Sequence, residues 1–306
     1  MTLREADLRR LGDIAAQAAA AGGEVIGAYR ARGVAVETKR GGQSYASQVV
    51  TEADRESQVA VLDILRSTLE QFDLGLLAEE STDDRSRFEK DYFWCVDPLD
   101  GTLSFIEGHA GYSVSVALVS KTGTPMIGAV LDPATDVLYT AIKGQGAFRN
   151  GEPFHRDLGV QRTAGPLKLF ADRSLKTDPR YEPLLAQLIE VARTRDLDGL
   201  EPIFGQGAVL NACSVAAEAP ACYFKLPNPK PSGGSLWDFS ASACILAEWG
   251  GVVSDIFGAP LDLNRADDTF MSHRGVLYAS DVDLAKQILA IAERRDLITR
   301  VKSPSA

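Results

Sequence analysis

The order of apolar and polar positions divides the chain into two patterns, and the first occupies the N-terminal half. Apolar residues recur at helical spacing from Leu3 to about Ala31, and a second such run begins near Thr51. Short β-like runs follow at Leu74 to Ala78 and at Tyr92 to Val96, and turn residues punctuate the alternating stretch from Tyr112 to Phe148. We therefore expect two long helices followed by an antiparallel meander.

The second pattern begins after about residue 160, where β-like runs alternate with helical ones. The expected strands are Leu167 to Ala171, Ala221 to Lys225 and Gly275 to Ala279, and the expected helices are Pro179 to Arg193, Ala208 to Glu218, Leu236 to Trp249 and one at the C-terminus. Such alternation is typical of an α/β unit with crossover connections. We divide the chain into an N-terminal α+β half, residues 1–158, and a C-terminal α/β half, residues 159–306, which share one body.

Composition narrows the classes of function. The 306 residues are 45% hydrophobic, and the net charge is -10 with a pI near 4.9. The charge and the absence of a Lys and Arg cluster argue against partners such as a nucleic-acid polymer or a membrane. We expect a small anionic metabolite instead, with divalent cations on carboxylates supplying the positive charge. Without a signal peptide or a long apolar run we expect a cytoplasmic protein, and the scattered cysteines indicate buried thiols.

The segment at residues 97–102, which reads DPLDGT, carries the clearest chemical signal. Across a turn that a proline stiffens, Asp97 and Asp100 can point at one place, and the Leu99 carbonyl can add a neutral oxygen; hard oxygens of this kind suit Mg²⁺. The Gly101–Thr102 turn can offer backbone N–H groups to a phosphate at a helix start. The alternative is an ordinary strand-to-turn junction, because Asp, Pro and Gly are common in turns; an EF-hand would need a longer alternating pattern.

Three further carboxylates have structural alternatives of their own. Glu79 follows a β-like run and could emerge beside Asp97, but it could also be an exposed acid. Asp54 lies three residues after Thr51 and fits a capping box. Asp238 lies in the first turn of a predicted helix, where a negative charge is favourable by itself.

Taken together, these segments resemble the inositol monophosphatase superfamily of magnesium-dependent, lithium-sensitive phosphatases, which includes the 3'(2'),5'-bisphosphate nucleotidases. Four motifs match in order: Val50 to Asp54, Ala78 to Ser81, Asp97 to Thr102, and Trp237-Asp238 with Ala247 to Gly251. The resemblance implies a layered αβαβα sugar-phosphatase fold, with the active site in the cleft between the two halves. It also implies a phosphomonoester hydrolase that uses two or three Mg²⁺ ions.

The resemblance implies a role for each matching residue. The metal ligands would be Glu79, Asp97, the Leu99 carbonyl, Asp100 and Asp238. The catalytic residues would be Glu79 and Thr102, which orient the attacking water, and Asp54, which supports Thr102. The substrate contacts would be Gly101, Thr102, Gly207, Ala208 and Asp238.

Substrate choice is the point at which the sequence departs from inositol enzymes. Those enzymes carry a ring-binding glutamate seven positions before the Asp of the Trp-Asp motif, and this chain has Pro231 there. We therefore favour a bisphosphate nucleotidase acting on 3'-phosphoadenosine 5'-phosphate, with inositol monophosphate and other sugar or polyol phosphates as alternatives. Lys225, Lys230 and Arg265 could contact a second phosphate or could simply be solvated.

Two hypotheses from other classes of function stay open at this point. One is a non-catalytic protein that binds a phosphorylated metabolite, and the other is a structural calcium-binding domain. The intact set of carboxylates favours the enzyme. We expect a monomer or a homodimer, and the sequence does not separate the two.

Overall fold

The computed structural model describes residues 2–32, 36–38, 49–156 and 165–294. Its helices are α1 (Glu5–Arg32), α2 (Glu52–Gln71), α3 (Thr102–Ile106), α4 (Tyr181–Thr194), α5 (Ala208–Ala217), α6 (Leu236–Trp249) and α7 (Val282–Arg294). Its strands are β1 (Val36–Thr38), β2 (Val49–Thr51), β3 (Gly75–Ala78), β4 (Tyr92–Asp100), β5 (Ser113–Ser120), β6 (Pro125–Asp132), β7 (Val137–Ile142), β8 (Gly146–Arg149), β9 (Glu152–Phe154), β10 (Leu167–Ala171), β11 (Leu200–Phe204), β12 (Ala221–Lys225), β13 (Val252–Ser254) and β14 (Val276–Ala279). Short 3₁₀ turns lie at residues 86–88 and 173–177.

Most of the N-terminal strands form one large sheet. Seven strands run in the order β3-β4-β5-β6-β7-β8-β9, and every neighbouring pair is antiparallel except β3 with β4. The predicted meander is therefore confirmed, and it extends through β9. A separate hairpin joins β1 to β2.

The C-terminal strands form a second, mixed sheet in the order β11-β10-β12-β14-β13. Strand β10 is parallel to both β11 and β12, whereas β14 is antiparallel to β12 and β13. The crossover connections expected from the alternating pattern are present in the parallel part. Strand β11 was missed by the sequence reading, because Pro202 lies inside it; a proline is tolerated there since β11 is an edge strand.

The side chains of the two sheets divide the core into layers. On β5, Val114, Val116 and Leu118 face one core with α1 and α2, whereas Ala117 and Val119 face a second core with α5 and α6. This division follows from the two-residue alternation of a strand. The second core continues onto the C-terminal sheet, whose other face packs on α4 and α7. The order of layers is therefore αβαβα, as predicted.

Close packing explains the glycine pair inside α1. A Cβ at Gly22 would lie 2.8 Å from the Ser57 hydroxyl and 2.9 Å from a methyl of Val61, both on α2. A Cβ at Gly23 would lie 2.3 Å from a methyl of Leu131 on β6. The two glycines let α1 lie against α2 and the large sheet, although glycine weakens a helix by about 1 kcal/mol relative to alanine.

The division of the chain at residues 158 and 159 falls within residues 157–164, outside the described part, and stays a prediction. All four cysteines are free and buried, as expected. In the described ranges, the helices lack the combination of length and apolar character needed to cross a bilayer.

Candidate active site

Three carboxylates from two distant segments converge between the sheets. Asp97 and Asp100 lie on β4, Asp238 lies in the first turn of α6, and each offers an oxygen within 4.8 Å of the others. Asp97 and Asp100 are 2% and 6% exposed. Sequence reasoning selected all three residues, and the structure brings them together.

An irregularity in β4 explains why residues three apart point the same way. In a regular strand, Asp97 and Asp100 would lie on opposite faces. The pairing with β5 shifts here, because Asp97 is opposite Ser115 and Asp100 is opposite Ser113. The bulged strand has one extra residue between the two pairs, which returns Asp100 to the side of Asp97. The motif Pro98-Leu99 is that bulge.

Glu79 reaches the same place from the neighbouring strand. Strands β3 and β4 are parallel with Ala78 opposite Val96, and the Glu79 N–H donates to the Val96 carbonyl at 3.1 Å. Glu79, the residue after β3, therefore lies beside Asp97 of β4. The carboxyl groups of Glu79 and Asp97 are hydrogen-bonded. The predicted position of Glu79 beside Asp97 agrees with the structure.

The start of α5 holds the Asp100 carboxylate. The N–H groups of Ala208 and Val209 donate to the two Asp100 oxygens at 3.1 and 2.9 Å. Gly207 precedes the helix, and a Cβ there would lie 2.2 Å from an Asp100 oxygen. Sequence reasoning selected Gly207 and Ala208 for substrate contact, but it missed Val209, which carries no recognisable signal. In the structure these residues surround the carboxylate of Asp100.

Thr102 joins the N-terminal helix pair to the acidic segment. Its hydroxyl lies 3.2 Å from Asp54 Oδ1 and 3.1 Å from the Leu99 carbonyl oxygen. Asp54 is 1% exposed on α2, and the predicted contact between Asp54 and Thr102 is present. Gly101 precedes α3 with φ 81°, a left-handed conformation that favours glycine.

The buried carboxylates are electrostatically unfavourable as a group. Burial, followed by the charges of Glu79, Asp238 and Asp100, raises the pKa of Asp97 well above its ordinary value. Burial and the charge of Asp238 do the same to the pKa of Asp100. Burial also raises the pKa of Asp238. Like charges so close together need cations, and several hard oxygens at one point suit Mg²⁺. The donor set therefore fits the metal that the sequence predicted.

Asp238 combines the two roles that the sequence left open. The Ser235 N–H donates to Asp238 Oδ2 at 2.5 Å, so the residue takes part in the N-terminal cap of α6. The same side chain belongs to the three-carboxylate cluster. The helix start thus fixes Asp238 where its second oxygen can serve as a ligand.

A partly buried lysine and aspartate beside the cluster were not predicted as a pair from the sequence. Lys225 Nζ lies 2.7 Å from Asp172 Oδ2, and Lys225 is close enough to affect the pKa values of Asp100 and Asp238. The two residues end or follow the parallel strands β12 and β10. Their 53-residue separation hides the pair in the sequence, although the carboxyl ends of parallel strands are where ligands bind in α/β sheets.

The comparisons with known proteins agree with this geometry. Residues 7–296 match the model of the inositol monophosphatase family. The chain belongs to the inositol monophosphatase family. It is 30% identical over 244 residues to the fructose-1,6-bisphosphatase/inositol-1-monophosphatase of Thermotoga maritima, with 79% of this chain and 84% of the relative covered.

Solved structures of the family share the fold. The inositol monophosphatase from Anabaena (Nostoc) superposes with a TM-score of 0.67 at 26% identity, covering 94% of this chain and 97% of the other. An IMPase/NADP phosphatase solved with NADP and Ca²⁺ superposes with a TM-score of 0.72 at 18% identity, covering 96% and 98%. Membership of the inositol monophosphatase family makes this chain a phosphoric monoester hydrolase of a family that in general depends on Mg²⁺.

Proposed function

We propose that this phosphatase hydrolyses a small phosphorylated metabolite with two or three Mg²⁺ ions, and that its substrate is a 3'(2'),5'-bisphosphate nucleotide such as 3'-phosphoadenosine 5'-phosphate. The observation that carries the proposal is the meeting of Asp97, Asp100 and Asp238 within 4.8 Å. The proposed ligands are these three carboxylates, Glu79 and the Leu99 carbonyl. When bound, the ions would supply an activated water and would neutralise charge that develops on the ester oxygens.

The other site residues would position the reactants. The contact of Thr102 with Asp54 and with the Leu99 carbonyl fixes its hydroxyl at the edge of the cluster. The Thr102 hydroxyl and the Glu79 carboxylate would orient a water for attack on the phosphorus. Gly101 precedes α3 and Thr102 begins it. The backbone N–H groups of both residues would bind phosphate oxygens. We also assign substrate contacts to Gly207 and Ala208, which lie against Asp100 at the start of α5, and to Asp238.

The proposed nucleotide substrate is supported by the shape of the site. A cavity of about 280 Å³ has Lys225 in its wall together with the apolar residues Leu175, Phe224 and Met271. Lys225 connects this cavity to the cluster, because its charge lowers the pKa values of Asp100 and Asp238. Such walls suit a ligand with a flat apolar part and anionic groups. Pro231, at the place of the ring-binding glutamate of inositol enzymes, is exposed in the loop after β12 and offers no carboxylate.

Inositol monophosphate or another sugar phosphate is the second candidate. It is supported by the Thermotoga maritima relative, which is a fructose-1,6-bisphosphatase/inositol-1-monophosphatase. A non-catalytic binding protein is disfavoured by the complete set of carboxylates.

Phosphate release from a panel of esters tests the proposal. We expect release from 3'-phosphoadenosine 5'-phosphate when Mg²⁺ is supplied, because a site of several hard oxygens suits this ion. Chelation with EDTA should abolish release, and Ca²⁺ should inhibit because its looser coordination disturbs the in-line geometry. Inositol 1-phosphate and fructose 1,6-bisphosphate complete the panel.

The outcomes separate the candidates. Faster release from inositol 1-phosphate than from the nucleotide would reject the nucleotidase and favour the second candidate. Release that persists at full rate in EDTA would contradict the metal-dependent mechanism. Binding of the nucleotide without any hydrolysis would favour the non-catalytic protein.

A further inference from the structure

The cavity beside the carboxylate cluster contains a charged residue that the proposed chemistry does not use. We call this cavity the Lys225 pocket. Its walls include Asp172, Arg180, Lys225, Asn228 and Ser232. It opens at the carboxyl ends of β10 and β12, next to the start of α6. The alcohol part of a substrate whose phosphate lies on the cluster would extend into this pocket.

Lys225 is held in place with part of its hydrogen-bonding capacity unused. Its ammonium donates to Asp172 Oδ2 and to the Gly233 carbonyl oxygen, and it lies 5.5 Å from the centre of the Phe239 ring. Among the described residues, these two oxygens are its hydrogen-bond acceptors, and an ammonium has three N–H donors. One donor is left for a ligand in the pocket.

Lys225 keeps its charge in the pocket. Its ion-pair partner Asp172 also accepts from the Tyr223 hydroxyl at 3.2 Å and from Asn211 Nδ2 at 3.4 Å. The Asp172 oxygens are therefore shared between Lys225 and two neutral donors. Burial by itself lowers the pKa of Lys225, but the nearby carboxylates, Asp172 first, outweigh it and raise the pKa above the ordinary value. The residue is an ammonium at neutral pH.

The other cations near the proposed substrate are already committed elsewhere or lie outside the pocket. Arg180 donates to both oxygens of Asp178 and to the Pro227 carbonyl, which ties the loop after β12 to the segment before α4. Arg265 donates to Asp267 and to the Phe270 carbonyl. Lys230 is exposed and is not part of the pocket wall. Of the three cations that the sequence offered for a second phosphate, the structure therefore selects Lys225.

We propose that Lys225 determines substrate specificity by binding an anionic group, a carboxylate or a second phosphate, on the alcohol part of the substrate. A hydrogen bond from an ammonium is strongest to an anion, so esters with an anionic group on the alcohol part gain over esters whose alcohol part is neutral. The inference rests on the proposed phosphatase chemistry at the neighbouring cluster. It applies to a bisphosphate nucleotide, but equally to a phosphorylated sugar acid or a sugar bisphosphate.

Two matched pairs of esters test this inference and separate the two kinds of anion. 3-Phosphoglycerate has a carboxylate where glycerol 3-phosphate has a hydroxymethyl group, and 3'-phosphoadenosine 5'-phosphate has a second phosphate where 3'-AMP has a hydroxyl. We expect the wild-type kcat/KM to favour the member with the additional anionic group in at least one pair by about tenfold or more, the magnitude of one charge-assisted hydrogen bond. The pair that shows the preference identifies the anion.

Variants of Lys225 show whether the preference comes from this residue. Lys225→Met should bring the ratio within each pair close to one, and Lys225→Arg should keep much of it. Lys230→Met is the matched control, because it removes a lysine charge from the same stretch of chain but from outside the pocket, and it should keep the wild-type ratio. If Lys225→Met does not fold, Lys225→Gln keeps a polar end and should give the same loss.

Three results would overturn the inference. The first is a wild-type enzyme that favours the member without the additional anionic group in both pairs or shows no preference, and the second is a preference that survives in Lys225→Met. Both leave the phosphatase chemistry intact. The third is the absence of Mg²⁺-dependent release from all four esters, which would overturn the proposed function and this inference with it.

Discussion

Asp97→Asn is expected to lower kcat/KM for Mg²⁺-dependent phosphate release by on the order of 10³-fold, and Asp97→Asn with Asp100→Asn should leave no measurable release. The reason is loss of charge where cations must bind, since Asp97 and Asp100 converge with Asp238 in a buried cluster. Steady-state assays over a range of Mg²⁺ concentration measure the effect. Asp63→Asn is the control, because its carboxylate is about half exposed and pairs with Arg66 on the surface of α2.

Asp97→Asn should lower activity but should increase the stability of the metal-free protein. The folded protein raises the pKa of Asp97 above the ordinary 3.8. The stability that depends on a protonated Asp97 is therefore fully present below pH 3.8 and is lost as the pH rises through the raised pKa. At neutral pH, Asp97→Asn should therefore raise the melting temperature of the metal-free protein by at least about 2 °C. Wild-type activity in Asp97→Asn, or a lower melting temperature without metal, would contradict the role given to the cluster.

Gly207→Ala is expected to reduce kcat/KM by about 10²-fold, although it adds a single methyl group. The φ of Gly207 is -66°, which alanine adopts readily, so the backbone itself is not strained. The new Cβ would lie 2.2 Å from one Asp100 oxygen and 2.5 Å from its Cγ, so the carboxylate must leave the N–H groups of α5. A displaced ligand should also raise the Mg²⁺ concentration needed for half-maximal rate.

Gly27→Ala is a matched control for this substitution. Gly27 lies inside α1, and a Cβ there would meet no heavy atom within 4 Å. This variant should keep full activity and gain about 0.5–1 kcal/mol of stability, because alanine favours the helix. A Gly207→Ala enzyme with wild-type kcat/KM and Mg²⁺ dependence would show that Asp100 does not need its observed position.

The parts of the fold that the sequence predicted are those with strong local patterns. Helices α1 and α6 and strands β10 and β12 lie within about two residues of their predicted bounds, because apolar periodicity marks them. Strand β11 was not expected, since Pro202 inside it argues against a strand unless the strand is known to be at an edge. The edge position depends on tertiary pairing and is not encoded locally.

The residues of the site likewise divide into those that the sequence predicted and those that it did not. Asp97 and Asp100 were recognisable because one short motif contains both, and the resemblance to a phosphatase family added Glu79, Asp54 and Asp238. What no local pattern contains is the contact between segments that lie far apart in the chain. The hydrogen bonds from α5 to Asp100 join a helix of the C-terminal half to a strand of the large sheet. The Lys225 pair with Asp172 exists because the parallel strands β12 and β10 end together.

The most direct test of the central claim is the location of bound cations. Crystals soaked with Mn²⁺ and orthophosphate should show at least two anomalous peaks about 3.5–4 Å apart, each within about 2.6 Å of oxygens from Asp97, Asp100, Asp238 or Glu79. Mn²⁺ replaces Mg²⁺ here because both favour oxygen ligands. Ordered Mn²⁺ bound elsewhere on the protein, with these four carboxylates still bonded to one another and to the protein, would contradict the account.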